Sequence, residues 1–221
     1  MTTRDEDIAA AVAAMDEEEP TLRQVVLATH NSHKVEEFQA IVAAARPDLQ
    51  VIAYSGPEPV EDGITFAENA LIKARAAAAH TGLPALADDS GICVDVLGGA
   101  PGVFSAYWAG HAKDADANLH LLLDQLSDIR DPNRAAQFVS TIALVVPGDA
   151  SSEQVVEGRW PGRVATAPSG EGGFGYDPIF IPDGQPADSE RSVAEWSSLE
   201  KNADSHRARA FAELVPLLGE L

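Results

Sequence analysis

The sequence predicts an α/β fold, because short apolar runs rich in β-branched residues alternate with helical patterns along most of its length. An apolar run at 25–28 leads through a polar loop into a helical pattern at 35–42, and a second helical pattern covers 65–80. Two long strand-like segments, 135–146 and 153–164, flank a Pro-Gly-Asp turn and predict a hairpin. We therefore expect a sheet covered by helices and extended by this hairpin into a second lobe.

Length and composition limit the domain organisation and the partners. The chain has 221 residues, 45% of them hydrophobic, which suits one domain at 21–221; residues 1–20 are acidic and predict a flexible extension. A net charge of −20 argues against nucleic-acid and anionic-membrane partners, since both need a basic surface. No apolar run reaches the ~20 residues that cross a bilayer, and the N-terminus does not have the pattern of a signal peptide. The single cysteine, Cys93, lies in an apolar run, so we expect a buried thiol and a cytoplasmic location.

The first strand and helix enclose the polar loop Thr29-His30-Asn31-Ser32-His33-Lys34. Backbone amides and a lysine at a helix N-terminus can bind phosphate. A capped turn with a solvated lysine is an equally good interpretation of the loop alone. A second strand is expected at 49–53, and Thr65 with Glu68 forms a capping-box pattern that begins the next helix.

The centre of the sequence is Asp88-Asp89-Ser90-Gly91. We expect a strand that ends at Asp88 in a tight turn, where carboxylates can reach a divalent cation and a water molecule. A further strand is expected at 91–97, an irregular glycine-rich segment at 97–110, and helices at 114–129 and 202–218. An acidic pair near a turn is more often simply solvated, so the pair alone does not establish catalysis.

Six motifs together resemble the RdgB/inosine triphosphate pyrophosphatase family, in that family's order and over about 25–218. They are Ala28 to Lys34, Gly63 to Ala70, Ala87 to Gly91, Leu97 to Gly102, Gly173 to Phe180, and Lys201 with Ser205-His206-Arg207. The resemblance implies an elongated α/β fold with a mixed central sheet and two lobes, with the active-site cleft between the lobes. It also implies a homodimer that hydrolyses deaminated purine nucleoside triphosphates (ITP, dITP and XTP) to the monophosphate and pyrophosphate, with Mg²⁺ as cofactor.

The resemblance also assigns the phosphate and metal groups. Glu61 and Asp89 are implied as metal ligands, and Asp89 as the general base, with Asp88 as its rival. Successive strand residues point to opposite faces, so only one of the two aspartates should be central if the strand continues through them. The implied substrate-binding residues at the phosphates are Thr29, His30, Asn31, Ser32, His33, Lys34, Lys73 and Lys201. Ser90 is implied as a further substrate-binding residue.

The implied base pocket comprises Phe174, Gly175, Tyr176 and Asp177, with His206 and Arg207 at the edge of the base. Arg207 only donates hydrogen bonds, which suits a ring carbonyl oxygen and leaves an adenine amino group facing unpaired donors. An unpaired buried donor costs ~1–3 kcal/mol, which would reject ATP. Without the other motifs, a glycine-rich turn with core aromatics and a helix cap with a surface arginine are the commoner roles of these segments.

Two departures and two alternatives accompany this hypothesis. His30 and His33 stand where family members often have glycine, which matters if the loop needs positive φ there. One alternative is a nucleotide-binding module without catalysis; the presence of both Glu61 and Asp89 argues against it. The other is a related pyrophosphatase with a different base preference.

Overall fold

The computed structural model describes residues 23–30, 32–148 and 153–221. The expected N-terminal extension at 1–20 and the loop residue Asn31 lie outside these ranges. Within them, six strands form one sheet and five α-helices cover it. The strands are β1 Arg23–Leu27, β2 Leu49–Ala53, β3 Ala85–Val94, β4 Ala135–Val145, β5 Gln154–Val164 and β6 Phe180–Pro182. The helices are α1 Ser32–Ala45, α2 Phe66–Thr81, α3 Ala115–Gln125, α4 Ser198–Asp204 and α5 His206–Leu214.

The sheet is mixed, as predicted. Its order is β2-β1-β3-β4-β5-β6; β1 is parallel to β2 and β3, and the pairs from β3 to β6 are antiparallel. The parallel strands are joined through α1 and α2, which cover them, whereas the long β4 and β5 pair as the predicted hairpin. The expected α/β class and both hairpin strands are therefore confirmed.

The core divides into clusters that leave a gap over the middle of the sheet. One cluster, with Leu86 and Ile142, packs under α1 and α5, and a second, with Phe138 and Trp160, packs under α3. The strand residues of both clusters share one face by register. Between them that face carries the polar residues Asp88, Ser90 and Ser140. The opposite face packs its alanines against α2.

Asp88 to Gly91 do not form the predicted turn. β3 runs straight through them, because β4 offers a partner to every residue from Ala85 to Val94. Gly91 instead allows Gly102 and Ser105 to approach the strand closely, because a Cβ at position 91 would lie 2.3 Å from Ser105 Oγ and 2.7 Å from Gly102 O. Cys93, on the same strand, is partly exposed and not buried as expected.

Three other boundaries differ from the predictions. The segment expected to be irregular contains two 3₁₀ helices, Asp95–Leu97 and Gly102–Tyr107, the first of which ends the strand expected to reach residue 97. The C-terminal helix is interrupted at Ser205, whose extended backbone ends α4 and whose Oγ caps α5 by accepting from Ala208 N. The helix expected to reach residue 129 ends at Gln125. The predicted capping box of Thr65 and Glu68 is present.

Candidate active site

A cleft of about 650 Å³ opens over the middle of the sheet. Lysines and carboxylates line one end of it, which we call the carboxylate end: Lys34, Lys73, Asp88 and Asp89. Aromatic side chains with a histidine and an arginine line the other, which we call the aromatic end: Phe138, Phe174, Tyr176, His206 and Arg207. Ser90, Gly175 and Asp177 also line the cleft, so it collects residues from four of the six predicted motifs.

Asp89 lies on the face of β3 that packs against α2. Its Oδ1 accepts from Lys73 Nζ at 3.1 Å and its Oδ2 from Asn69 Nδ2 at 3.3 Å. Burial raises the pKa of Asp89 above its usual range; Lys73 and Asn69 oppose the rise, and the negative charge of Glu61 adds to it. A carboxyl with a raised pKa beside a cleft is suited to accept a proton.

Glu61 completes this cluster from the loop before α2. Its Oε2 lies 3.0 Å from Lys73 Nζ, so the Glu61 and Asp89 carboxylates converge on the same ammonium group. Burial alone would lower the pKa of Lys73, but the charges of Asp89, Glu61 and Asp88 outweigh it and raise the pKa. One cation therefore already occupies the point between two carboxylates.

That arrangement fits a hard divalent cation. Carboxylate oxygens are the donors that Mg²⁺ prefers, and Mg²⁺ is commonly held by one or two carboxylates while water and phosphate supply the other ligands. Within 23–30, 32–148 and 153–221 no group of three or more His, Cys, Asp or Glu side chains is placed to hold a metal. Glu61 and Asp89 are thus the pair that would hold Mg²⁺ together with a phosphate group.

Asp88 lies on the opposite face of β3 and contacts other cations. Lys34 Nζ, from α1, donates to both of its oxygens at 3.0 and 3.1 Å, and Arg207 Nε is 3.8 Å away. Burial would raise the pKa of Asp88, but Lys34, Arg207 and Lys73 overcome it and hold the pKa at about 2. Contrary to the expectation that only one aspartate would be central, both line the cleft. β1 pairs with β3 only at Ala85 and Leu86, so the edge of β3 at the two aspartates has no neighbouring strand in the described part of the chain, and the cleft reaches both faces there.

His206 and Arg207 begin α5 and lie buried at the aromatic end. The His206 ring stacks on Phe138, with centroids 4.9 Å apart and an interplanar angle of 17°. Burial, followed by the charges of Arg207 and Lys201, lowers the pKa of His206 to about 3, so the ring is neutral near pH 7. His206 Nδ1 and Arg207 Nε are buried without a hydrogen-bond partner among the described residues.

The glycine-rich segment after Gly173 places Phe174 at the mouth of the cleft. The residue is 67% exposed, and Lys201 Nζ lies 4.5 Å from the centroid of its ring. Lys201 also pairs with the buried Asp177, whose Oδ2 accepts from Phe174 N at 2.8 Å. Burial raises the pKa of Tyr176, whose hydroxyl donates to Ser105 O at 2.9 Å, so this phenol stays protonated.

The predicted phosphate loop reaches the cleft only in part. Thr29 and His30 line a small neighbouring pocket together with Glu61 and Lys73, and Lys73 also lines the cleft. His30 Nε2 donates to Gly56 O, and its Nδ1 lies 3.2 Å from Glu58. Positive φ is not needed at His30, nor at His33, which is helical. Asn31 and the side chains of Ser32 and His33 are outside the described part of the structure.

Sequence reasoning assigned no role to several residues of the cleft. Asn69 is buried, and its Oδ1 accepts from Gly63 N at 2.9 Å while its amide donates to Asp89, so it ties the loop after Glu61 to the carboxylate end. Its position four residues before Lys73 was the available signal, because i and i+4 share a helix face. Phe138 and Lys113 gave no such signal, because they come from distant parts of the chain.

Comparisons with known proteins now decide the family. The Ham1 family model, Ham1p_like, matches residues 25–217. The chain belongs to the Ham1 family. A Leifsonia xyli subsp. xyli protein named dITP/XTP pyrophosphatase is 61% identical over 198 residues, or 90% of this chain and 96% of that protein. This confirms the resemblance identified from the six motifs.

Solved structures agree with this family membership. A Staphylococcus aureus Ham1 protein superposes with a TM-score of 0.79 at 36% identity, covering 90% of this chain and all of the other. A Mycobacterium abscessus protein described as nucleoside-triphosphatase / dITP/XTP pyrophosphatase gives 0.73 at 46% identity, with 87% and 99% covered. Among the helices of the described residues, none is both long and apolar enough for a membrane span.

Proposed function

We propose that this Ham1 family protein is a Mg²⁺-dependent nucleoside triphosphate pyrophosphatase that converts dITP, ITP and XTP to the monophosphate and pyrophosphate. One observation carries the proposal: a single cleft places paired lysines and carboxylates at one end and an aromatic surface at the other, where His206 Nδ1 and Arg207 Nε are buried without a hydrogen-bond partner among the described residues. Its volume of about 650 Å³ lies within the range of small-molecule sites. The curated relatives named dITP/XTP pyrophosphatase support the same enzyme class.

The carboxylate end suits the triphosphate. A triphosphate carries about four negative charges and enters a protein of net charge −20, so it needs local cations. Lys34 and Lys73 supply two, and their present partners, Asp88 and Asp89, keep both ammonium groups at the cleft in the absence of substrate. Glu61 and Asp89 would hold Mg²⁺, which when bound offsets the phosphate charge and lowers the pKa of a bound water.

Asp89 then serves as the general base. Its carboxylate takes a proton from the water whose oxygen attacks the α-phosphorus, and the bond from that phosphorus to the bridging oxygen breaks. Pyrophosphate leaves with the bonding electrons, and the nucleoside monophosphate remains. The raised pKa of Asp89 brings its basicity closer to neutral pH than that of Asp88, whose pKa is about 2. This difference favours Asp89 over Asp88 as the base.

The aromatic end suits a purine with a ring carbonyl oxygen. Phe174 and Phe138 provide apolar surface. The Arg207 guanidinium provides N–H groups that donate hydrogen bonds, and it has no acceptor atom. Neutral His206 retains one ring N–H donor. An adenine amino group would leave the buried donors unpaired, at a cost of ~1–3 kcal/mol each.

A substrate panel tests the proposal. With Mg²⁺, pyrophosphate release from dITP, ITP and XTP should exceed that from dATP at least tenfold in kcat/KM, and EDTA should abolish it. Equal rates on all purine nucleotides would refute the proposed recognition of the purine ring and favour a related pyrophosphatase with a different base preference. Saturable ITP binding without turnover would instead identify the nucleotide-binding module.

The proposal also includes a homodimer that acts in the cytoplasm, as the family resemblance implies. Light scattering coupled to size-exclusion chromatography should give twice the chain mass of 23.3 kDa. A monomeric mass at micromolar concentration would contradict the dimer.

A further inference from the structure

The start of α5 lies directly on the sheet at Gly158. This glycine is buried in β5, and a Cβ added to it would lie 2.1 Å from His206 O and 2.3 Å from Ala210 N. These two backbone groups stand one helical turn apart, the spacing at which a carbonyl accepts from an amide in an α-helix. A side chain at position 158 would therefore press on the first turn of α5, the turn that carries His206 and Arg207.

The neighbouring residues on this face show what the close approach achieves. Ser140 of β4 pairs with Gly158, and Phe138 pairs with Trp160 two residues along the strands. The small pair, Ser140 and Gly158, forms a shallow depression that we call the seat, and the large pair forms an aromatic surface beside it. The His206 ring lies nearly parallel to both aromatic rings, 4.9 Å from Phe138 and 6.4 Å from Trp160. The His206 ring can adopt this position only if the backbone of α5 packs directly against the sheet at Gly158.

The first turn of α5 reaches one residue of the carboxylate end, Asp88, whose Oδ2 lies 3.8 Å from Arg207 Nε, but it does not reach the cluster around Lys73. Glu61, Lys73 and Asp89 are held by α2, by the loop before it and by the opposite face of β3. Crowding at position 158 acts on backbone atoms of α5, which cannot rotate away as a flexible side chain can. Its first effect therefore falls on the residues that begin that helix.

We propose that Gly158 is a specificity-positioning residue: by lacking a Cβ it seats the first turn of α5 and so sets where His206 and Arg207 meet the base. The inference rests on the proposed function, in which those two residues read the purine edge. It assigns to β5 a role in substrate choice that the site residues themselves do not reveal.

The test compares Gly158→Ala with Gly162→Ala. Gly162 lies on the same strand and face, and a Cβ there would be 2.4 Å from Ile181 O and 2.8 Å from Phe180 Cζ, so it is crowded against β6 and not against the backbone of α5. For Gly158→Ala the ratio of kcat/KM for dITP to that for dATP should fall at least tenfold, mainly through KM for dITP. For Gly162→Ala the ratio should stay within about twofold of wild type, even if the melting temperature falls as much.

A second readout follows the ring itself. Ring currents from Phe138 and Trp160 should shift the His206 ring protons upfield. Gly158→Ala should move those resonances more than Gly162→Ala does, because Gly162→Ala reaches the two aromatic rings only through Phe180. A folded Gly158→Ala protein with an unchanged substrate ratio overturns the specificity role. Unchanged His206 resonances overturn the seating role. If wild type does not discriminate dITP from dATP, the proposed function fails, and the resonances alone decide the seating.

A further variant serves if Gly158→Ala does not fold. Ser140 is fully buried, and its hydroxyl is without a hydrogen-bond partner among the described residues, so Ser140→Val adds bulk to the seat without breaking a bond. The substrate ratio should fall about threefold or more. An unchanged ratio in folded Ser140→Val protein would overturn the inference.

Discussion

At the carboxylate end of the cleft Lys34 and Lys73 are held by ion pairs, whereas at the aromatic end His206 is held by stacking on Phe138 and by the seating of α5. Ion pairs can be exchanged for other charged partners when a ligand enters. A packed ring moves only if its surroundings move. Under the proposed function, phosphate and Mg²⁺ would replace the ion pairs at the carboxylate end, while the packed aromatic end would already have the shape that the base requires.

The largest effect should separate the two aspartates. Asp89→Asn keeps the shape but removes the proton acceptor and a metal ligand, so kcat should fall at least ~100-fold. Asp88→Asn leaves Lys34 and Arg207 without their shared counter-charge, so it should lower the free energy of unfolding by about 2 kcal/mol, less than for a fully buried pair because Lys34 is partly exposed. Pyrophosphate release and urea unfolding of both variants check this, and full activity in Asp89→Asn would contradict the base assignment.

Lys73→Met should have the next largest effect. It removes the ammonium shared by Glu61 and Asp89, and with it a charge-assisted bond to phosphate of about 1.5–3 kcal/mol, so kcat/KM for dITP should fall roughly 10–100-fold. Lys113→Met provides the control, since Lys113 is an exposed lysine that lines the same cleft. Equal losses in the two variants would show that general positive charge, and not the paired lysine, attracts the substrate.

Arg207→Met should act on substrate choice. Loss of the buried donors should reduce the dITP/dATP ratio of kcat/KM about tenfold, mostly by loss of dITP affinity. Arg209→Met is the matched control, because Arg209 is on the same helix but pairs with Asp204 at the exposed side. A preserved ratio in Arg207→Met would mean that the aromatic end does not read the base through this residue.

A smaller effect concerns pH and the packing of His206. Its pKa is about 3 in the folded protein against 6.5 unfolded, so the unfolded state binds the proton first, and stability is lost as pH falls below 6.5. At pH 5 the loss is about 2 kcal/mol, from 1.36 kcal/mol per unit. His206→Phe should remove this part of the loss between pH 7.5 and 5.0, measured by urea unfolding. An identical loss in both proteins would contradict the buried, neutral histidine.

His30→Gly should have the smallest effect. Its contacts are with Gly56 and Glu58 beside the small pocket, and the pair with Glu58 is largely exposed. We expect kcat/KM for dITP to change less than about threefold. A tenfold loss would place His30 at the phosphates, as the family resemblance implies.

Local patterns in the sequence determined much of this protein. The capping box of Thr65, the paired long strands 135–146 and 153–164 and the six motifs predicted the α/β class and the family, because each depends on residues close together in the chain or on a resemblance that runs along it. One glycine was misread. Gly91 signals a turn in the sequence, yet it lies within a strand where Ser105 approaches.

Only the tertiary structure decided which charged groups contact each other and where His206 and Arg207 lie. Asp88 and Asp89 are neighbours in sequence, but a strand sends them to opposite faces, and the lysine that each contacts depends on which helix covers that face. Likewise, no residue near Gly158 in the sequence indicates that α5 packs against this position. Its role arises because strand pairing and helix packing join residues about 50 positions apart, and such distant contacts leave no local pattern to read.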